Sequence, residues 1–235
     1  MNRQNKAVQF FSEECSGWKP WEIGWLTLAC CVILGLSIYW QDTAMGIVSA
    51  TTGVACVVCT GKGKLSAYLF GLVNTVLYAI ISWKASFYGE VMLNALYYVP
   101  MQFYGFYVWS RHINTETHEV EKRRMGTKGR FLMAVSVAAA TGIYGWILQL
   151  LGGNMPYVDA LSTVVSVVAM MISVKMYMEQ WMLWILVDIV TIIMWGVQFY
   201  HGSDSIATLL MWIVYLGNAV IMYVKWGKEA NGHAV

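Results

Sequence analysis

Asp188 falls inside a long apolar run, four residues after Trp184 and seven after Trp181, so a helix would carry the carboxylate and both indoles on one face. A central Asp costs roughly 2.5–3.5 kcal/mol to place in a bilayer, which makes such a group a functional candidate by default. A second strip runs through Asn94, Tyr98, Gln102, Gly105 and Trp109 at steps of four, four, three and four. It suits the wall of a cavity, although the same residues could also serve as hydrogen-bonding glue between helices. Asn74 with Tyr78, and Tyr215 with Asn218, can supply further walls. Indole faces would sandwich a flat ring and favour a cationic one by about 0.5–2 kcal/mol, while amides and tyrosine hydroxyls would read hydroxyl groups. The substrate-binding candidates are therefore Trp181, Trp184, Asp188, Asn94, Tyr98, Gln102, Asn74, Tyr78, Tyr215 and Asn218. Trp181 taken alone could also belong to an interfacial belt. Asp159, three residues after Pro156, is as readily a helix cap as a ligand contact.

Other chemistry is weakly signalled. Gly61-Lys62-Gly63-Lys64 lacks the glycine spacing and the following Ser or Thr of a phosphate loop. Cys56 and Cys59 have the spacing of half a zinc or redox site, but they lie in an apolar run without a partner pair, and five cysteines imply no disulfide framework. The histidines, His112, His118, His201 and His233, fall in loops or the tail, which leaves no metal cluster. Lys225 lies too near the end of its helix to hold retinal. No catalytic residue, metal or cofactor is expected.

The elements that must position these side chains are membrane helices. Of 235 residues 58% are hydrophobic and only 12% charged, against roughly 25% charged in an average soluble domain. Runs of about 20 apolar residues are long enough to span. They place eight helices at 21–39, 43–60, 64–83, 87–110, 131–151, 156–175, 180–200 and 204–226. The first follows a polar stretch at 1–20 and reads as a retained helix, not a signal peptide. The stretch 111–130 is the only long polar loop, and 227–235 forms a tail. Eight spans put both termini on one side, and if that side is the cytoplasm only Lys84 of the 15 Lys and Arg residues falls outside. The net charge of +2 gives no reason to expect nucleic acid as a partner.

Helices two to four and six to eight repeat weakly at one constant offset, which pairs Lys62 with Lys175, Tyr68 with Trp181, Tyr88 with His201 and Gly89 with Gly202. One extra helix between them makes the two triple-helix units parallel. Transporters are often built from such repeats, with substrate held between them near the midplane. The fold expected is all-α and polytopic: an extra helix at 21–39, repeat one at 43–110, a cytoplasmic loop at 111–130, a linker helix at 131–151 and repeat two at 156–226.

Several segments resemble the PnuC-type vitamin transporters, which import nicotinamide riboside into bacteria. They are Gly53-Val54 through Gly61-Lys62-Gly63-Lys64, Tyr88-Gly89-Glu90, Leu93-Asn94, Tyr97-Tyr98, Pro100-Met101-Gln102, Gly105 and Trp109. In the second half they are Asp159-Ala160, Ser166-Val167-Val168-Ala169, and Glu179 followed by Trp181-Met182-Leu183-Trp184, whose Trp-x-x-Trp element is fairly specific. The resemblance implies a SWEET-like 3+1+3 arrangement with an additional N-terminal helix in the bacterial inner membrane. It also implies trimers and facilitated diffusion, with a cytoplasmic kinase trapping the riboside by phosphorylation. Trp181 and Trp184 are binding residues by that resemblance. Thiamine or riboflavin are the alternative cargoes, since related importers carry them. A membrane enzyme acting on a nucleoside or lipid head group, or a receptor or scaffold that binds without net flux, is a more distant alternative.

Overall fold

The computed structural model describes residues 3–85, 87–150, 156–202 and 206–231. In chain order the helices are α1 (Arg3–Glu14), α2 (Pro20–Tyr39), α3 (Ala44–Lys62), α4 (Ser66–Lys84), α5 (Tyr88–Met92), a π-helical stretch (Leu93–Tyr98), α6 (Val99–Ser110), α7 (Thr127–Leu150), α8 (Pro156–Val174), α9 (Gln180–Tyr200) and α10 (Ile206–Asn231). Six of them, α2, α3, α4, α7, α9 and α10, are long and apolar enough to cross a membrane. Their outward faces stay apolar, with Ile38, Phe131, Leu150 and Ile193 all more than half exposed. Water would not tolerate so many such faces; lipid does. The chain is an all-helical polytopic membrane protein.

Local sequence explains where the helices start and stop. Pro20 opens α2, where a missing N–H costs nothing, and the Glu22 carboxylate accepts the Lys19 N–H at 3.0 Å. Thr43 caps α3 through Gly46 N–H. Helix α3 ends on Gly63 with φ +85°, and α8 ends just before Met176 with φ +63°. Both ends carry the same 6→1 bond, Lys64 N–H to Cys59 O and Tyr177 N–H to Ile172 O, each 3.0 Å. Donor pairs with donor and acceptor with acceptor at the offset that takes Lys62 to Lys175.

The expected single helix at 87–110 is broken. Pro100 has no N–H to offer the carbonyl four residues back and its ring crowds that carbonyl, so the backbone widens ahead of it and Val99 N–H reaches Asn94 O, five residues away. Residues 3–14, expected as part of a polar tail, form helix α1. The last helix runs to Asn231, past the expected end at 226. Asp204, its expected start, lies outside the described residues.

Helix α4 packs on α3 and on the α5, π and α6 segment, and α9 packs on α8 and α10. Across the two groups α3 lies along α10, and α6 with the π stretch meets α8. Each group thus sets its first helix against the other's third. Helix α2 covers α3 and α10, and α7 packs on α8. The loop after α6 ties to both groups by backbone bonds, Val120 N–H to Gly63 O at 3.0 Å and Arg123 N–H to Met176 O at 2.9 Å. Beside it a chain of ion pairs runs Lys225–Glu22–Lys62–Glu119–Lys122–Glu229, with each step between 2.6 and 3.2 Å. This charged end of the bundle also holds α1, whose Glu14 carboxylate accepts the Leu65 and Ser66 N–H groups at the start of α4.

Candidate functional site

Between the two helix groups lies a cavity of about 130 Å³. Trp181, Trp184, Asp188, Asn94, Tyr98, Gln102, Asn74, Tyr78 and Tyr215 all line it, so nine of the ten candidates face one space. Asn218 does not line it. Its amide is fully buried and donates to Val57 O at 3.0 Å, tying α10 to α3. Asp159 has no described side chain.

The two walls differ in chemistry. Helix α4 and the segment after it supply Asn74, Thr75, Asn94 and Gln102, while α9 supplies Trp181, Trp184 and Asp188. Asp188 is 2% exposed, and no described residue hydrogen-bonds to it or pairs with it. An unpaired carboxylate in such a place is costly unless a cation reaches it. Gln102 lies against Gly71, where a Cβ would come within 2.7 Å of the Gln102 Oε1. It sits 3.4 Å from Thr75 Oγ1. Asn74 is partly committed to packing: its amide donates to Ser49 O at 2.8 Å and its carbonyl accepts from the Tyr215 hydroxyl at 3.3 Å. The Tyr78 hydroxyl accepts the Trp195 indole N–H at 2.8 Å, which ties it to α9. Tyr98 and Trp184 both line the cavity and touch, with ring centroids 6.3 Å apart and planes inclined by 53°.

Positions in the lining repeat. The same offset pairs Val57 with Met170, Thr60 with Ser173, Tyr68 with Trp181, Gly71 with Trp184, Asn74 with Val187, Thr75 with Asp188, and Gln102 with Tyr215, and every member lines the cavity. The Tyr68 hydroxyl and the Trp181 indole N–H, at one such pair of positions, are buried and find no partner among the described residues.

Residues 43–228 match the family described as Nicotinamide mononucleotide transporter. This chain belongs to that family. It is 39% identical to "Nicotinamide riboside transporter PnuC" of Neisseria mucosa over 93% of this chain and 85% of the relative. It is 32% identical to the protein of the same name from Haemophilus influenzae, over 94% and 96% of the two chains. A solved structure described as the crystal structure of the Vitamin B3 transporter PnuC superposes with a TM-score of 0.88 at 36% identity, covering 97% of this chain and 99% of the other. The family and these relatives are transporters, not enzymes.

The cavity also holds residues that the sequence did not single out as candidates. Tyr68, Thr75, Glu90 and Ser166 line the cavity and were not among the candidates. Glu90 sits near a helix end, where a carboxylate looks solvated. Tyr68 was visible only as the repeat partner of Trp181. Thr75 carries no signal of its own, and Ser166 enters only within a segment of the family resemblance, because Thr and Ser are ordinary residues in membrane helices.

Proposed function

We propose that this chain carries nicotinamide riboside across the bacterial cytoplasmic membrane, binding it in the cavity between the two helix groups. The observation that carries this is the division of the cavity into an aromatic wall holding a buried, unpaired carboxylate and an opposite wall of amides and a hydroxyl. The pyridinium ring would lie against Trp184 within reach of Asp188, with Tyr98 and Trp181 beside it. The ribose would face Asn94, Gln102, Thr75 and the Asn74–Tyr215 pair. The names of the relatives support the cargo.

In the membrane we infer eight spans in a 3+1+3 order after an extra first helix, with α5, the π stretch and α6 together forming one interrupted span. The regular pairing of lining positions supports two parallel triple-helix units, α3 to α6 and α8 to α10, with α7 as linker. The charged end, which collects Lys62, Lys64, Lys122, Arg123, Lys225 and both terminal helices, faces the cytoplasm by the charge rule. Transport proceeds by facilitated diffusion, and phosphorylation inside the cell traps the cargo. Trimer formation and the phosphorylation step follow from the family resemblance alone.

The test is a titration of purified protein with nicotinamide riboside, thiamine and riboflavin, read by heat of binding and by tryptophan fluorescence. Saturable binding of the riboside alone is expected, and Trp184→Ala should abolish it while leaving a folded protein. Binding of thiamine or riboflavin in its place would keep the fold and overturn the cargo.

A further inference from the structure

We propose that Trp109 and Trp226 are paired gate residues that close the cavity toward the charged end and couple that closure to the ligand. Each indole reaches across the boundary between the two helix groups. Trp109, at the end of α6, donates its N–H to Val174 O at 3.2 Å and lies 3.3 Å from Ser173 O, at the end of α8. Trp226, near the end of α10, donates to Gly61 O at 2.8 Å, at the end of α3. Both indoles are wholly buried. The acceptors Gly61 and Val174 are repeat partners, one residue before the Lys62 and Lys175 pair; the donors are not, since Trp109 aligns with Met222, so the two bonds share an acceptor position and run in opposite directions between the groups.

The acceptors are the carbonyls left over when a helix ends. In α3 the Cys59 and Thr60 carbonyls take the Gly63 and Lys64 N–H groups, and in α8 the Ile172 and Ser173 carbonyls take Tyr177 and Met176. Gly61 O and Val174 O remain, and an indole from the other group takes each. A carbonyl in the last turn next to a polar loop can accept water instead, so the acceptor is not stranded when such a bond breaks.

A route from ligand to bond is also present twice. The Trp109 ring stands edge-on to Tyr68 with centroids 5.1 Å apart, and the Trp226 ring stands edge-on to Trp181 at 5.7 Å. Tyr68 and Trp181 line the cavity at equivalent positions, and their polar atoms have no partner among the described residues. A ligand that engages them presses on the rings that carry the two indole bonds. The interfaces differ in one respect. Helix α10 is held along α3 by Asn218 to Val57 O and by Ala207 N–H to the Asp42 carboxylate at 2.7 Å, as well as by Trp226. Helix α6 meets α8 over a shorter length, so loss of the Trp109 bond should have the larger effect.

This inference rests on the transport reading and the orientation proposed above, and the test separates them. Cys56 lines the cavity, and full-length protein with Cys15, Cys30, Cys31 and Cys59 replaced by Ala leaves it as the sole thiol. Its labelling by a membrane-impermeant, charged methanethiosulfonate is followed in right-side-out and inside-out vesicles. Trp109→Phe and Trp226→Phe keep the ring and remove the N–H. Each should raise labelling from the charged-end face about threefold to tenfold, the range expected for one net hydrogen bond, with the larger rise at Trp109. Trp226→His, which retains a ring N–H, should restore slow labelling. Trp195→Phe removes a bond of the same 2.8 Å length, to Tyr78, and should not change labelling from that face. Unchanged labelling from both faces in variants that still bind riboside would overturn the gate. A rise seen from the opposite face would overturn the orientation while keeping the gate. Nicotinamide riboside should slow the labelling, and a rise without such protection in variants that bind it would overturn the coupling of closure to the ligand.

Discussion

Asp188 and Gln102 make different demands on a ligand, so their loss should be read differently. Asp188→Asn keeps the shape of the cavity and removes its buried charge. Binding of the cationic riboside should weaken about 10- to 100-fold, roughly 1.4–2.8 kcal/mol, while the uncharged dihydro form of the riboside should lose far less. Isothermal calorimetry with both ligands decides it, and equal losses would show that charge is not what Asp188 contributes. Gln102 depends on a neighbour that has no side chain. Because a Cβ on Gly71 would press on all three terminal atoms of Gln102, Gly71→Ala should push that amide out of position and weaken riboside binding about tenfold or more. Its fluorescence titration should fall while the unfolding temperature barely moves. The repeat partner of Gly71 is Trp184, so one structural position holds a vacancy in one half and a ring in the other.

Among the elements, the π stretch Leu93–Tyr98 is the one with a functional signature, since such widenings often mark sites. Asn94 and Tyr98 lie within it and Gln102 one turn beyond, and all three line the cavity. A regular helix would gain one hydrogen bond and rotate everything before Pro100 by about 100° relative to everything after it. Pro100→Ala removes the cause of the widening. It should leave thermal stability equal or higher and reduce riboside affinity at least tenfold; a variant that binds normally would mean the π geometry is held by packing, not by proline. The long apolar helices were legible in the sequence because apolar length acts residue by residue. The π stretch was not, because a proline inside an apolar run predicts a break without its form. Helix α1 was missed for a related reason: residues 3–14 are polar, and what fixes them is Glu14 meeting the start of α4, a contact 51 residues away. Asn218 was a fair candidate by type, and only its contact with Val57 O assigns it to packing.

At the scale of the whole molecule, the charged end joins α2, α3, the 111–126 loop and α10 through one chain of alternating ions. Glu22 and Lys62 within it are almost wholly buried, and each keeps a second counterion, Lys225 and Glu119, so removing one of the two should cost less than the ~3–5 kcal/mol of a buried charge left alone. Glu119 is its central carboxylate, bridging Lys62 at 2.9 Å and Lys122 at 2.6 Å. Burial alone would raise its pKa, but the two ammonium groups outweigh burial and hold it below the ordinary 4.5. The sign of the pH effect follows from linkage. Above about pH 4.5 the carboxylate is ionised in both folded and unfolded chains, and the folded protein has the full benefit of the two ammoniums. As pH falls below that value the unfolded chain takes up the proton first, so stability declines until the folded group titrates as well. Glu119→Gln should therefore be less stable than the parent at neutral pH and should lose less on acidification from pH 5 to pH 3. Unfolding curves in detergent across that range measure both effects. Parallel decline of the two proteins would place the acid sensitivity elsewhere in the ion chain, whereas convergence below pH 4 would assign it to the carboxylate that joins the loop to both Lys62 and Lys122.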